Sequence, residues 1–125
     1  CAEIDLQEAN LHSWHTTLHA YDDRGGQGVG IGGGGLKWNG FREWTSADYG
    51  LGGRCIDTSA PFNVAISFPV DEAGVLTAVE VTLSQSGRPC NLSAKISEYN
   101  FNGRNGMKEL SAALDAGMAP IISYW

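Results

Sequence analysis

The sequence predicts an all-β fold, part of a β-sandwich, with one short helix. Apolar and polar residues alternate along most segments, as strands with one buried face require, and only one stretch has helical spacing. The chain has 125 residues, and a domain of that size can bury roughly two-thirds of its unfolded surface. We therefore expect a single segment, 1–125, with a substantial core.

The clearest predicted strand runs from Phe62 to Phe68, where every second residue is large and apolar. A turn from Pro69 to Gly74 joins it to the next strand as a hairpin. The apolar face of that next strand contains Val75, Val79, Val81 and Leu83, with Thr77 among them. Further strands are predicted for residues 2–10, 11–21, 36–44, 92–99 and 118–125.

The helix is predicted between Asn105 and Gly117. Asn105 is suited to the N-cap, and Met107, Leu110 and Leu114 follow at the spacing of one helix face. Gly117 is placed to end the helix in the left-handed conformation.

Residues 25–35 form a glycine-rich segment with Gly at eight of eleven positions. The sequence G-K-[ST] is missing and no strand-loop-helix unit surrounds the segment, which argues against a phosphate-binding loop. We expect a flexible loop between two strands.

The chain is acidic, with 8 Lys and Arg against 14 Asp and Glu. Phosphate groups are bound by dense positive charge, so this balance argues against nucleic acid and anionic membrane surfaces as partners. Nothing approaches the roughly 18 consecutive apolar residues of a membrane span. We expect no transmembrane segment.

The three cysteines favour one disulfide. Cys55 and Cys90 each adjoin a turn and are the best internal pair, which leaves Cys1 over; three unpaired thiols are the alternative. The triplet beginning at Asn91 is a glycosylation sequon. Neither the cysteine spacing nor the histidines of residues 12–19, whose parities differ in a strand, predict a metal site.

Three acids at the start of the chain are the chemically informative residues. In a regular strand Glu3 and Asp5 share a face and Glu8 points away. A β-bulge at Leu6 and Gln7 would return Glu8 to that face. Three converging carboxylates would raise at least one pKa, which lets an acid and a base coexist. An acidic, solvated edge strand is the alternative.

These acids lie in E-I-D-L-Q-E-A-N, which resembles the E-x-D-x-x-E-A-N signature of glycoside hydrolase family 7, the cellobiohydrolases and endoglucanases. Further matches follow in the family's order over nearly all of the chain. They are Thr17 and His19, W-N-G-F-R at 38–42, D-Y-G at 48–50, I-D-T at 56–58 and G-M-A-P-I-I-S-Y-W at 117–125. The resemblance implies the middle-to-late part of a longer catalytic domain, an antiparallel β-sandwich of the jelly-roll, concanavalin-like type. The remainder, or another protein chain, would then cover open strand edges.

The resemblance also implies roles for the acids. Glu3 would be the nucleophile, Glu8 the general acid and then base, and Asp5 the residue that orients the nucleophile. Thr17 and His19 would face the cleft, with His19 positioning sugar hydroxyls.

Three further residues are substrate-binding candidates. Trp125 would stack on a glucosyl ring, and Trp38 and Arg42 belong to the matched W-N-x-x-R motif. A structural position for Trp38, and a surface pairing of Arg42 with Glu43 or Asp48, are the alternatives. Trp14 is expected in the core, and Trp44 in a loop or interface.

The implied function is retaining hydrolysis of β-1,4-glucan by a secreted protein without a cofactor or metal. One alternative is a non-catalytic structural or carbohydrate-binding component of a larger assembly. Another is a family-16-like β-glucanase of the same clan. The chain departs from the family's pattern in its short glycine-rich segment, in Gln7 and in Pro120, which puts the product-side subsites in question.

Overall fold

A computed structural model of the chain describes residues 1–35 and 42–124. These residues form twelve strands and one helix. The strands are β1 (Glu3–Ala9), β2 (Ser13–His19), β3 (Val29–Gly34), β4 (Trp44–Thr45), β5 (Tyr49–Gly50), β6 (Ile56–Asp57), β7 (Asn63–Ser67), β8 (Val79–Ser84), β9 (Leu92–Ile96), β10 (Asn100–Phe101), β11 (Arg104–Asn105) and β12 (Ile121–Tyr124); the helix is α1 (Gly106–Ala116).

Two sheets dominate the fold. The larger has the strand order β12-β1-β2-β3-β4 and the smaller the order β7-β8-β9. Strand β1 pairs antiparallel with β2 and parallel with β12, so the first strand of the chain lies inside the larger sheet. The all-β prediction is confirmed, while the jelly-roll sandwich arrangement stays a prediction.

The predicted hairpin is present as β7 and β8, which pair antiparallel. Strand β8 begins at Val79 rather than near Val75. Residues 71–75 instead form a turn in which a carboxylate oxygen of Asp71 accepts hydrogen bonds from the backbone N–H groups of Ala73 and Val75. A side chain that satisfies backbone donors in this way offers an alternative to strand pairing.

One hydrophobic core includes residues of both sheets. Trp14 and Leu18, on the inner face of β2, are fully buried, as are Val79 and Leu83 of β8. The core position expected for Trp14 is confirmed. The expectation for Trp44 was wrong, because Trp44 is buried on β4 with its ring centroid 6.2 Å from that of Trp14.

Helix α1 has the predicted limits. The Asn105 side chain accepts a hydrogen bond from the Lys108 N–H at 3.0 Å, and Met107 and Leu110 are buried. Gly117 follows the helix with φ 94° and ψ 122°. Its φ is positive, as glycine allows, but the expected left-handed helical conformation was wrong because ψ is extended.

The expectation for the glycine-rich segment was also wrong over part of its length. Residues 29–34 form β3, an inner strand that pairs with β2 and β4. A Cβ at Gly32 would collide with the Trp14 carbonyl, and one at Gly33 with the Trp44 carbonyl. Glycine therefore marks a strand whose neighbours approach closely, not a flexible loop.

A disulfide joins Cys55 and Cys90, the pair favoured by the sequence, with their Cα atoms 4.8 Å apart. It closes a separation of 35 residues and links the segment before β6 to the segment before β9. Cys1 is exposed and has a free thiol. Within the described ranges there is no helix of the length and apolarity that a membrane crossing needs.

Candidate functional site

The pairing of β1 with β2 brings the three acids onto one face of the larger sheet. Glu3 lies opposite His19, Asp5 opposite Thr17, and Glu8 opposite His15. Directly opposed residues of an antiparallel pair share a face. Ile4 and Ala9 lie opposite Leu18 and Trp14 on the buried face. The apolar residues of β1 therefore pack into the core on one face of the sheet, and the carboxylates and imidazoles lie together on the opposite face.

A β-bulge makes this arrangement possible. The β1–β2 register shifts between Asp5 and Glu8, which confirms the predicted extra residue. The bulge is supported from within the core, where the fully buried Thr16 hydroxyl donates a hydrogen bond of 2.8 Å to the Leu6 carbonyl. This bond satisfies a backbone acceptor at the interrupted stretch of the ladder.

The Glu8 carboxylate has two side-chain neighbours on β2. Thr17 Oγ1 donates a hydrogen bond of 2.9 Å to Glu8 Oε2, and His15 Nδ1 lies 3.3 Å from the same oxygen. Burial lowers the pKa of His15, against the opposing effect of the Glu8 charge. A neutral imidazole therefore borders Glu8 near neutral pH, and the carboxylate is held in one orientation.

The pKa of the Asp5 carboxyl group is raised, as expected for at least one of three carboxyl groups on the same face. Its pKa rises to about 6 because the group is buried, because it hydrogen-bonds with Glu3, and because Glu3 and Glu8 carry like charges. The positive charge of His19 acts in the opposite direction. Near pH 6 the Asp5 group thus exchanges between a protonated form, which donates to Glu3, and an ionised form.

His19 joins Asp5 to the turn that follows β2. Its Nε2 atom lies 3.4 Å from Asp5 Oδ2, and its Nδ1 atom lies 2.7 Å from Asp23 Oδ2. The His19 hydrogen bond lowers the pKa of Asp23. Both ring nitrogens are therefore directed at carboxyl groups on opposite sides of the imidazole.

An open, mostly polar pocket of about 490 Å³ adjoins this face. Glu3 and His19 line it from the strands, and Tyr21, Asp23 and Arg24 line it from the turn. Its volume lies within the range of small-molecule sites in proteins. An aromatic ring, an arginine and several carboxylates lie around one opening, so the pocket offers hydrogen-bond donors, hydrogen-bond acceptors and an apolar ring face.

Several predicted site residues lie away from this cluster or outside the described ranges. Trp38 and Trp125 lie outside the residues that the structure describes. Arg42 is exposed beside β4, three strands from β1. The pairing of Arg42 with Glu43 or Asp48 stays a prediction. Glu43 also accepts a hydrogen bond from the Gly32 N–H, and Asp48 also pairs with Arg54. Asn91 is exposed immediately before β9.

Sequence reasoning missed two residues of the cluster, His15 and Asp23. The signal for His15 was available, because it shares strand parity with Thr17 and His19 and must face the same way. No sequence pattern indicated Asp23, because only the path of the turn after β2 brings this residue back to His19. No group of three His, Cys, Asp or Glu side chains suited to a metal ion occurs in residues 1–35 and 42–124.

The chain matches no protein-family model and no solved structure.

Proposed function

We propose that the chain carries the catalytic face of a retaining glycoside hydrolase acting on β-1,4-glucan. The observation that supports this most is the convergence of Glu3, Asp5 and Glu8 on one sheet face, produced by the bulge in β1. A plain strand would have directed Glu8 into the core side, and the chain instead has a buried threonine that stabilises the bulge. The role proposed for each of these three acids comes from the resemblance to glycoside hydrolase family 7.

In this proposal Glu3 is the nucleophile. Its carboxylate attacks the anomeric carbon and forms a glycosyl-enzyme, while Glu8 protonates the departing glycosidic oxygen. Glu8 then removes a proton from water, which attacks the anomeric carbon and releases Glu3. Hydrogen bonding between Glu3 and Asp5, whose pKa is raised to about 6 by burial and by the neighbouring acids, orients the nucleophile.

The neighbours of Glu8 suit this role. The Thr17 hydroxyl and the His15 ring fix the carboxylate on the face that carries Glu3, so that the proton is delivered in a defined direction. The disulfide between Cys55 and Cys90 fits an oxidising, extracytoplasmic compartment, where a secreted glucanase would act.

The proposal is tested by hydrolysis of an aryl β-cellobioside. We expect the 125-residue chain to release the aryl alcohol, and Glu3→Gln to abolish release because an amide cannot form the ester intermediate. Glu80→Gln is the matched control, since Glu80 lies on the outer face of β8 in the other sheet and pairs with Lys95. It should retain full activity.

A second measurement examines the intermediate itself. Incubation with an activated 2-deoxy-2-fluoro-β-cellobioside, which slows breakdown of the glycosyl-enzyme, should add one fluorosugar to the protein at Glu3. Digestion and mass spectrometry would locate the adduct. Absence of both turnover and adduct in a folded chain would overturn the proposal.

A second candidate function is a structural component of a larger assembly, and one observation favours it. Among the described strands β12 pairs only with β1, and its Ile122 and Tyr124 side chains are 69% and 72% exposed. Exposed strands with apolar side chains are sites of strand pairing with another chain. The test is sedimentation of wild type and Ile122→Lys across concentration. Self-association that the substitution abolishes would support this role, and a concentration-independent monomer would count against self-assembly through this strand.

A further inference from the structure

The turn between β2 and β3 supplies a buried carboxylate to the imidazole beside the three acids. The Asp23 side chain is only 1% exposed, although Tyr21, Asp22 and Arg24 around it are exposed. Buried carboxylates are costly unless hydrogen bonds satisfy them. Here the partners are His19 Nδ1 at 2.7 Å and the Gln27 N–H at 2.8 Å.

These contacts determine where the His19 proton lies. An ionised carboxylate can only accept hydrogen bonds, so Nδ1 must carry hydrogen and donate it to Asp23. In the neutral ring Nε2 is then the unprotonated nitrogen, and it faces Asp5 Oδ2 at 3.4 Å. The Asp5 carboxyl and Nε2 are thus positioned to share one proton.

The imidazole is also held from a second side. A Cβ at Gly28 would lie 2.6 Å from both Nδ1 and Cε1 of the His19 ring, so the Gly28 backbone packs directly against it. The turn itself is fastened to the rest of the fold, because the Tyr99 hydroxyl accepts from the Ala20 N–H and Arg104 donates to the Tyr21 carbonyl. Asp23 therefore acts from a fixed support.

We infer that Asp23 is a positioning residue that fixes His19 in the tautomer with hydrogen on Nδ1, so that Nε2 exchanges a proton with Asp5. This inference rests on the proposed function for its catalytic consequence. Asp5 hydrogen-bonds with Glu3, so a chain of contacts runs from the turn to the proposed nucleophile through Asp23, His19 and Asp5.

The tautomer is measured directly by two-dimensional ¹H–¹⁵N NMR of the imidazole in uniformly labelled protein. In wild type the two His19 nitrogens should show one protonated δ1 and one unprotonated ε2 signal at a pH where the ring is neutral. Asp23→Asn should mix the tautomers, because an amide group can present either a donor or an acceptor to Nδ1. An unchanged His19 spectrum in Asp23→Asn would overturn the inference.

Asp22→Asn is the matched control. It removes the same charge from the adjacent position, and Asn tolerates the positive φ of 68° at residue 22. The His19 signals should keep their wild-type tautomer in this variant. Equal changes in both variants would mean that charge alone acts on the ring, and would also overturn the inference.

The catalytic consequence is read separately as a fall in kcat of Asp23→Asn by roughly 10- to 100-fold with little change in KM, the order of loss when the partner that orients a functional histidine is removed. If wild type has no glycosidase activity, the proposed function fails while the NMR result still decides the role of Asp23. If wild type is active and Asp23→Asn equals it in kcat, the positioning role fails while the proposed function stands.

Discussion

The outer faces of the two sheets are built on the same alternating pattern but carry different chemistry. On β8 and β9, Glu80 lies opposite Lys95, and their side chains form an ion pair of 2.9 Å with both groups about half exposed. On β1 and β2, Asp5 and Glu8 contact histidines and are mostly buried. In the Glu80–Lys95 pair each charge has an opposite charge beside it and is in contact with solvent. On β1 and β2, carboxyl groups of like charge lie close together and are mostly shielded from solvent.

This difference separates a solvated surface from a candidate site. Pairing with Lys95 lowers the pKa of Glu80, whereas burial and the neighbouring acids raise that of Asp5 to about 6. A polar strand face by itself therefore predicts little. What distinguishes the β1 face is that the fold keeps unfavourable charges together, an arrangement found more often at functional sites than elsewhere.

The largest effect that would test this contrast concerns Glu8. In Glu8→Gln we expect turnover of a cellobioside with a poor leaving group to fall about 10²- to 10⁴-fold, because general acid catalysis is lost. Steady-state rates on a series of leaving groups provide the measurement. Activated leaving groups, which need no proton, should lose less in the first step. An equal loss across the series, or a similar loss in Glu80→Gln, would contradict the assignment.

The next effect is on stability and has opposite signs on the two faces. The pKa of Asp5 is about 6 in the folded state and near 3.8 when unperturbed, so between those values the folded chain binds more protons than the unfolded chain. The free energy of unfolding should therefore fall as pH rises through this window. In wild type this decrease should amount to about 2 kcal/mol after allowance for partial solvent screening, and in Asp5→Asn it should disappear.

Urea unfolding of wild type and Asp5→Asn from pH 4 to pH 7 provides the measurement. Glu80→Gln serves as the comparison of opposite sign. Because the folded-state pKa of Glu80 is lowered, its contribution is present above about pH 4.5 and is lost as pH falls. Parallel pH profiles for wild type and Asp5→Asn would show that burial does not perturb Asp5.

A smaller effect is expected at the support of the bulge. Thr16→Val keeps the shape of the side chain but leaves the Leu6 carbonyl without its side-chain donor, so we expect a loss of about 1.5 kcal/mol in the free energy of unfolding. Glycosidase activity should fall as well, because Glu8 follows the bulge. Chemical denaturation measures the free energy of unfolding, and kcat measures the glycosidase activity. Unchanged values of both would show that the bulge needs no such support.

The smallest effect is expected for the same substitution on the other sheet. The Thr82 hydroxyl bonds to Ser93 on the exposed face of β8, where water can replace the lost partner. Thr82→Val should change the free energy of unfolding by less than about 0.5 kcal/mol and leave activity unaltered. A cost equal to that of Thr16→Val would mean that burial does not distinguish the two threonines.

Much of this contrast was predictable from the sequence. Strand parity alone required a bulge if Glu8 was to join Glu3 and Asp5, and the helix limits followed from Asn105 and Gly117. These features are local, since each depends on residues a few positions apart. The fold class is predictable for the same reason.

Other features depended on approach between distant segments. The glycine-rich segment was expected to be a flexible loop, yet glycine is required at Gly32 and Gly33 because backbone carbonyl groups of the neighbouring strands lie where a Cβ would be. Trp44 was expected in a loop or interface, and it is buried on β4 beside Trp14. Asp23 likewise reaches His19 only through the path of a turn.

The parallel pairing of β1 with β12 has a consequence for how the chain folds. Asp5 lies beside Ile121, so the strand with the acids gains its second neighbour only from residues more than a hundred positions later. Contacts of such large sequence separation slow folding, since loop-closure entropy is lost before they form. During synthesis β1 can pair with β2 early. Its other edge stays open until residues 121–124 have left the ribosome, and that interval is when the nascent chain is most exposed to mispairing.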